Sequence, residues 1–376
     1  MTTLFQQSIL QSAEALAEKF ANRNVTFTEE QHFPFENFEL LKSKNFHSLT
    51  VPKKYNGQGL NLFEFLSVQE VLAKGDGATA LCLGWHLGSI LDVEDSGVWD
   101  EHVFNQLCEA VIDRKSLINR AATETATGSP TRGGMPNTTA KRHDGYWVLN
   151  GRKSFTSLAA ALDYSLVTAT VGNSDTKGVF LVDHSLDGVE IEETWSMISM
   201  QGTRSDDLVL NNVKVPLHCY VEDEGGNLPK AWLLHIPACY LGIAGAAREY
   251  AIEFAKNHRP NSLPGPIKDV PEVQRKIGEM ELEYYKCKEI LYSAAARWVE
   301  HPDMRMDMGS DLGAVKHIVT NGANKIVDLA MRIAGARSLS QSNPLQRYFR
   351  DVRAGLHNPP MDDSVISMLA KHALKD

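Results

Sequence analysis

The residues with usable chemistry gather in one stretch, with two histidines outside it. Between Asn119 and Ser157 the chain is rich in hydroxyls: Thr123, Thr125, Thr127 and Ser129 come first, and Ser154, Thr156 and Ser157 close the run. A hydroxyl donates one hydrogen bond and accepts others. Here hydroxyls stand where short apolar runs end, near Asp144-Gly145 and Asn150-Gly151. Those dipeptides are strong hairpin signals, so the stretch reads as β with hydroxyls at its strand ends. A plain polar strand edge, with Thr present for its β propensity, has the same look. His86 lies in Ala80-Leu81-Cys82-Leu83-Gly84-Trp85-His86-Leu87, a helical run apolar nearly all round. It is therefore a buried polar group in need of a partner, which a backbone carbonyl would supply. His357 follows a helical pattern, where a cation meets the negative end of the helix dipole. Asp362-Asp363 is a carboxylate pair, but adjacent carboxylates more often face solvent or cap a helix.

Other chemistries leave no trace. No G-x-G-x-x-G follows a strand pattern, no G-x-x-x-x-G-K-[ST] occurs, and Gly133-Gly134 lies in a loop. There is no H-E-x-x-H, no G-x-S-x-G and no Cys/His ligand spacing. A nucleotide cofactor, if there is one, is not expected on a Rossmann unit. Metal ligation is not expected either. The five cysteines (Cys82, Cys108, Cys219, Cys239, Cys287) are scattered and odd in number, as in a reducing compartment.

The elements around these residues are mainly helical. Residues 4 to 21 carry apolar positions at helical period, and helices are expected near 61–74, 77–93 and 98–112. From about 117 to 216 the pattern turns to short strands with recurring turn signals, including Tyr164–Ala169, Gly178–Val182, Val189–Ile191 and Leu208–Val215. Helix returns near 228, where Pro237 predicts a kink or an irregular start. Long helices follow near 271–300 and 309–335, the second capped by Ser310 or starting near Asp311. The expected fold is α+β: an N-terminal helical bundle (1–115), a central antiparallel β-barrel or sandwich (116–226) and a C-terminal four-helix bundle (227–376).

The chain has 376 residues, enough for two or three packed units. A formal charge of −9 argues against a general nucleic-acid surface. No apolar run nears the roughly 20 residues of a membrane span, and the first residues show no secretion signal. The expectation is a cytoplasmic protein.

The order of units and six local motifs resemble the acyl-CoA dehydrogenase superfamily over nearly the full length. Thr123-Glu124-Thr125-Ala126-Thr127-Gly128-Ser129-Pro130 is similar to the family's T-E-P-x-A-G-S-D loop. Tyr146 to Ser157 is similar to its Y-x-L-N-G-x-K-x-W-I-T-N strand, and Gly202-Thr203-Arg204-Ser205 with Val213-Lys214-Val215-Pro216 to the close of its β domain. Val51-Pro52 with Tyr55-Asn56-Gly57-Gln58-Gly59 resembles an early turn, and Pro266-Ile267 with Val273-Gln274 a helix entry. Arg347-Tyr348-Phe349-Arg350-Asp351-Val352-Arg353 resembles its R-x-x-R-D-x-R helix. The resemblance implies a flavin, usually FAD with FMN an alternative, between the β domain and the C-terminal helices. By position it puts Phe155 against the flavin face, Thr156 and Ser157 at its N5/O4 edge, Thr123 on the pyrimidine side and Ser129 near the pyrophosphate or substrate. Arg347 and Arg350 fall in the cofactor-binding helix motif. It also implies a homo-oligomer, usually a dimer of dimers, acting on an acyl-CoA.

The departures bear on the reaction. The family's catalytic Glu lies in a turn after the R-D-x-R helix, where this chain has Asn358-Pro359-Pro360, or early in the long helix, where counting back from Leu241-Gly242 reaches Trp232. Neither position holds a base. The flavin-phosphate Arg and Phe are replaced by Asn261-Ser262-Leu263-Pro264, and Arg332–Arg337 keeps little of the family's Q-x-x-G-G-x-G. Two-component flavin monooxygenases share the fold and lack the Glu; they use reduced flavin and oxygen to form a C4a-hydroperoxide on aromatic or sulfur-containing molecules. Their R-x-x-R-x-L-H-x-P tail resembles Arg353-Ala354-Gly355-Leu356-His357-Asn358-Pro359. On that branch His357, His86 and Ser157 are the catalytic candidates. Three readings stand: an acyl-CoA-type dehydrogenase served by an electron-transferring flavoprotein, a monooxygenase served by a flavin reductase, and a non-catalytic flavin- or acyl-CoA-binding relative.

Overall fold

The computed structural model describes residues 4–24, 32–127, 133–172, 176–223 and 228–374. Five helices come first: α1 (Leu4–Asn24), α2 (Phe35–Ser43), α3 (Leu62–Gly75), α4 (Gly77–Ser96) and α5 (Glu101–Asp113). Three of them, α3, α4 and α5, start on side-chain caps. Asn61 and Glu64 form a reciprocal capping box on α3, while Asp76 and Asp100 cap α4 and α5. Gly97, at φ 60°, ends α4 in the left-handed conformation.

Eight strands follow: β1 (Ile118–Ala121), β2 (Thr139–Arg142), β3 (Tyr146–Lys153), β4 (Tyr164–Val171), β5 (Lys177–Asp183), β6 (Val189–Glu192), β7 (Asp207–Pro216) and β8 (Tyr220–Asp223). They form one sheet in the order β6-β7-β3-β2-β4-β5-β8, with β1 added to β4. The sheet is not closed into a barrel, and it is mixed, since β1 and β2 each pair with β4 in parallel. Leu166 and Val167 show its two faces: Leu166 packs with Phe104 and Leu107 of α5, Val167 with Trp147, Phe180 and Leu208.

The two hairpin signals part company. Asp144-Gly145 does turn β2 into β3, with Gly145 at φ 86° and His143 N–H donating to Tyr146 O. Asn150-Gly151 instead lies inside β3, where pairing with β7 shifts register between Leu149 and Gly151. This is a bulge, and glycine is required because a Cβ there would sit 2.4 Å from Thr138 Oγ1.

The last helices are α6 (His235–Asn257), α7 (Pro271–Glu300), α8 (Gly309–Ala334), α9 (Pro344–Ala354) and α10 (Asp362–Ala373). Pro237 falls in the first turn of α6, where its missing N–H costs no helical bond, and a 3-10 turn over Ala231–Leu234 makes the irregular start. Helix α8 begins at Gly309 with no side-chain cap, so neither Ser310 nor Asp311 caps it. Helices from both ends of the chain share one apolar core, in which Phe65 of α3, Leu83 of α4, Leu241 of α6, Leu291 of α7 and Val319 of α8 are buried together. No described helix is long and apolar enough to cross a membrane.

Candidate functional site

Strand β3 ends at Lys153, and residues 154 to 158 turn off the sheet while bonded to two other segments. Ser154 N–H donates to Thr123 O (2.9 Å), Thr156 N–H to Asp206 O (3.1 Å) and Leu158 N–H to Thr203 O (2.9 Å). Phe155 and Leu158 adopt positive φ, 57° and 72°, and in the neighbouring loop so do Met200 (52°) and Arg204 (39°). Such conformations are uncommon outside glycine, cost about 1–3 kcal/mol each, and cluster at ligand sites.

The hydroxyls here divide into two kinds. Thr203 Oγ1 donates to the Met200 carbonyl (2.9 Å), which can only accept. A hydroxyl has one proton, so Ser205 donates to Thr203 (2.8 Å) and Ser157 donates to Ser205 (2.9 Å). Ser157 therefore offers lone pairs, not a proton, to anything else. Thr156 is the opposite case: it is 1% exposed, and its hydroxyl has no partner among the described residues. An unsatisfied buried hydroxyl costs roughly 1–3 kcal/mol, which a ligand atom would offset. Beside it Phe155 is 57% exposed, its ring edge-on to Trp195 at 5.8 Å. An open aromatic face next to a free hydroxyl suits a flat heteroaromatic ligand.

A buried ion pair lies just before this turn. Lys153 Nζ lies 2.6 Å from Glu124 Oε1, and Glu124 also accepts from Asn137 N–H, Thr138 N–H and the Thr138 hydroxyl. Burial would raise this carboxyl, but the bonds from Lys153 and Thr138 hold it below its ordinary range. Burial likewise lowers Lys153. Both residues lie in the two stretches rich in hydroxyls, Thr123-Glu124 and Gly151-Arg152-Lys153, where an acid and a base beside the cradle are the available signal.

The structure thus brings Thr123, Phe155, Thr156 and Ser157 together. Thr123 contributes its carbonyl, with a half-buried side chain. Ser129 lies outside the described residues. Arg347 and Arg350 sit on α9, which docks against the loop before Thr203. Asp351 Oδ1 accepts from Met200 N–H (2.7 Å), Ser199 Oγ donates to Asp351 O (3.2 Å) and Arg350 Nη1 donates to Ile198 O (3.3 Å). Arg350 is otherwise held by Gln346 Oε1, and the Arg347 guanidinium lies 5.4 Å from the Tyr348 ring centre. Removal from water pushes Asp351 up to about 6, against the pull of Arg347 and Met200 N–H.

The two histidines differ sharply. His86 is wholly buried; its Nδ1 accepts from Ile118 N–H (3.0 Å) and its Nε2 donates to His47 O (2.7 Å). Burial drives it to about 3, so it is neutral. Both ring nitrogens are spent on backbone, which is the core-histidine alternative. Its effect on the cradle is indirect, through the neighbouring Asn119, whose amide donates to Ser157 O (2.9 Å). His357 is exposed in the turn after α9, and that turn is pinned by Tyr240 Oη donating to Asn358 Oδ1 (2.6 Å). The positions of the absent base are filled by Pro359, in a cis Pro359-Pro360 step, and by Trp232, 5% exposed.

Comparison with known proteins gives the family. Family models match for the acyl-CoA dehydrogenase N-terminal domain over residues 3–94, the middle domain over 119–213 and the C-terminal domain over 234–358. The chain is 48% identical to a putative acyl-CoA dehydrogenase, YdbM, of Bacillus subtilis, with 98% of this chain and 97% of that one covered. It is 26% identical to a dibenzothiophene monooxygenase of Rhodococcus erythropolis, covering 89% and 86%. Among solved structures, butyryl-CoA dehydrogenase from Megasphaera elsdenii superposes with a TM-score of 0.89 at 20% identity, covering 99% of both chains. The chain belongs to the acyl-CoA dehydrogenase family.

Proposed function

We propose that this flavin-dependent oxidoreductase holds the isoalloxazine of FAD or FMN on the cradle of Thr123, Phe155, Thr156 and Ser157 and acts on a C–C bond of an acyl-CoA or similar small molecule. The supporting observation is Thr156: a buried hydroxyl with a free proton at a strand end, beside an open aromatic face. When bound, the flavin supplies hydride transfer. The chain's residues supply the rest. Phe155 covers the ring, Thr156 donates to its polar edge, and Ser157, with its proton committed to Ser205, accepts from it. The pair Glu124–Lys153 and the dock of Asp351 on Met200 hold the segments bonded to it. Electrons would pass to an electron-transferring flavoprotein. Exposed Leu282, Tyr285 and Leu339 favour a homo-oligomer, a dimer of dimers on the family pattern.

A second reading, a monooxygenase fed by a flavin reductase, is favoured by one observation: Pro359 and Trp232 stand where a base would be. Anaerobic mixing of the flavin-loaded enzyme with butyryl-CoA separates the two. Loss of the oxidised-flavin absorbance supports the dehydrogenase. No loss, with oxygen-dependent hydroxylation of an aromatic substrate once a reductase is added, supports the monooxygenase. Neither response removes both and leaves a binding protein.

A further inference from the structure

The hydrogen bonds that end on Ser157 begin outside the cradle, on α9. Two successive residues of α9 hold three successive residues of the loop before Thr203. Arg350 Nη1 donates to Ile198 O (3.3 Å), Ser199 Oγ donates to Asp351 O (3.2 Å), and Met200 N–H donates to Asp351 Oδ1 (2.7 Å). The last is the shortest, and a carboxylate acceptor makes it charge-assisted. It falls on a residue that needs holding. Met200 stands at φ 52° and ψ 39°, in the left-handed region that a residue with a long side chain rarely enters. That conformation brings its carbonyl to Thr203, whose N–H (3.0 Å) and Oγ1 (2.9 Å) both donate to it.

The rest follows from counting protons. A carbonyl only accepts, and each hydroxyl has one proton to give. Thr203 gives its proton to Met200 O, Ser205 gives its own to Thr203 (2.8 Å), and Ser157 gives its own to Ser205 (2.9 Å). All three hydroxyl residues are buried, so bulk water offers these protons no other acceptor. The loop also meets the cradle through its backbone, since Leu158 N–H donates to Thr203 O. Were the Met200 carbonyl to swing away, Thr203 would lose its acceptor. The chain of hydroxyls could then reverse, and Ser157 would regain a proton to offer.

We propose that Asp351 is a positioning residue for the flavin edge: by holding Met200 in the left-handed conformation it keeps the Thr203, Ser205 and Ser157 protons directed away from the cradle, so that Ser157 accepts from a ring atom that carries a proton. This deepens the flavin reading above and rests on it. Asp351 touches neither flavin nor substrate; it acts through Met200, Thr203 and Ser205.

Apoprotein is titrated anaerobically with FAD and with FMN, each oxidised and dithionite-reduced. Oxidised flavin has a lone pair at N5 and reduced flavin a proton, so an accepting Ser157 favours the reduced form. The ratio of the two affinities is the readout, because a merely structural role for Asp351 would weaken both alike. Asp351→Ala should lower that ratio roughly three- to tenfold, the worth of one hydrogen bond. Asp351→Asn, which keeps an oxygen for Met200 N–H, should hold it within about twofold. Ser157→Ala should lower it as Asp351→Ala does, and the double variant no further, as for residues acting through one chain. A ratio unchanged in Asp351→Ala, no rescue in Asp351→Asn, or additive losses in the double variant overturns the proposal. Should Asp351→Ala fail to fold, Thr203→Val breaks the same chain one link on and should lower the ratio equally, an unchanged ratio there counting against the proposal. No binding of either flavin by the wild type overturns the flavin reading and this proposal with it. Binding with a ratio that none of the variants moves overturns this proposal alone.

Discussion

Lys153 Nζ sits 2.6 Å from Glu124 Oε1 with both side chains buried, and this contact ties the end of β3 to the segment after β1. Breaking such a pair by removing one partner leaves an uncompensated buried charge, worth about 3–5 kcal/mol. Lys153→Met should therefore lower stability by that order in chemical denaturation. Because Ser154 N–H bonds Thr123 O beside it, flavin affinity should fall as well. A loss under about 1 kcal/mol would show that the pair is not the clamp described.

Asp351 predicts a pH effect of definite sign. Its folded-state value, about 6, lies above the ordinary 3.8, so the folded protein holds this proton more tightly between about pH 4 and 6. The contribution to stability is present at low pH and is lost as pH rises through that window. Asp351→Asn keeps an oxygen for Met200 N–H but has no charge to bury. It should gain in Tm relative to the wild type as pH rises from 4 to 6. A Tm difference flat with pH would contradict the assignment.

Buried histidines act the other way. His86 and His235 are pushed down to about 3, and His47 and His184 to about 4, each mainly by burial. The unfolded chain takes up these protons near pH 6.5 while the folded chain does not, so stability falls as pH drops from about 6.5 towards 3–4. His86→Ala should remove one share of that slope. It should also cost roughly 2–4 kcal/mol, because Ile118 N–H and His47 O lose their partner. Denaturant unfolding at pH 7 and pH 5 measures both.

His357 offers a clean probe because it is exposed. His357→Ala should change stability by no more than about 0.5 kcal/mol. Turnover then reports on chemistry alone. Loss of oxygen-dependent product formation is expected under the monooxygenase reading; unchanged butyryl-CoA oxidation is expected under the dehydrogenase reading.

Much of this was legible in the sequence, for physical reasons. The helical periods of α3, α4, α5 and α7 were in the pattern; the caps Asn61, Asp76 and Asp100 went unread, and the cap expected at Ser310 or Asp311 is absent. The short strands β2 and β8 were not, because polar residues such as Lys141, Arg142 and Glu222 hide a short strand from any apolar count. Asn150-Gly151 read as a turn because a bulge and a hairpin ask the same residue types for left-handed or crowded backbone; only the approach of Thr138 decides between them. In the site, Thr156 and Ser157 were visible as hydroxyls, but not that one is free and the other committed. That difference depends on Ser205, Thr203 and Met200, about 45 residues downstream. The packing of His235 and Gln69 against Gly84, and of Trp232 against Gly88, gave no signal, since it rests on glycines admitting side chains to a helix backbone.

The account turns on the free hydroxyl of Thr156. Apoprotein titrated with FAD and with FMN, followed by flavin fluorescence quenching, should bind at least one of them. Thr156→Val, which keeps the shape and removes the donor, should weaken that binding by roughly five- to a hundredfold while leaving Tm unchanged or raised, because an unpaired buried hydroxyl has gone. Flavin binding equal in Thr156→Val and the wild type, or no flavin binding by the wild type, would contradict the central claim.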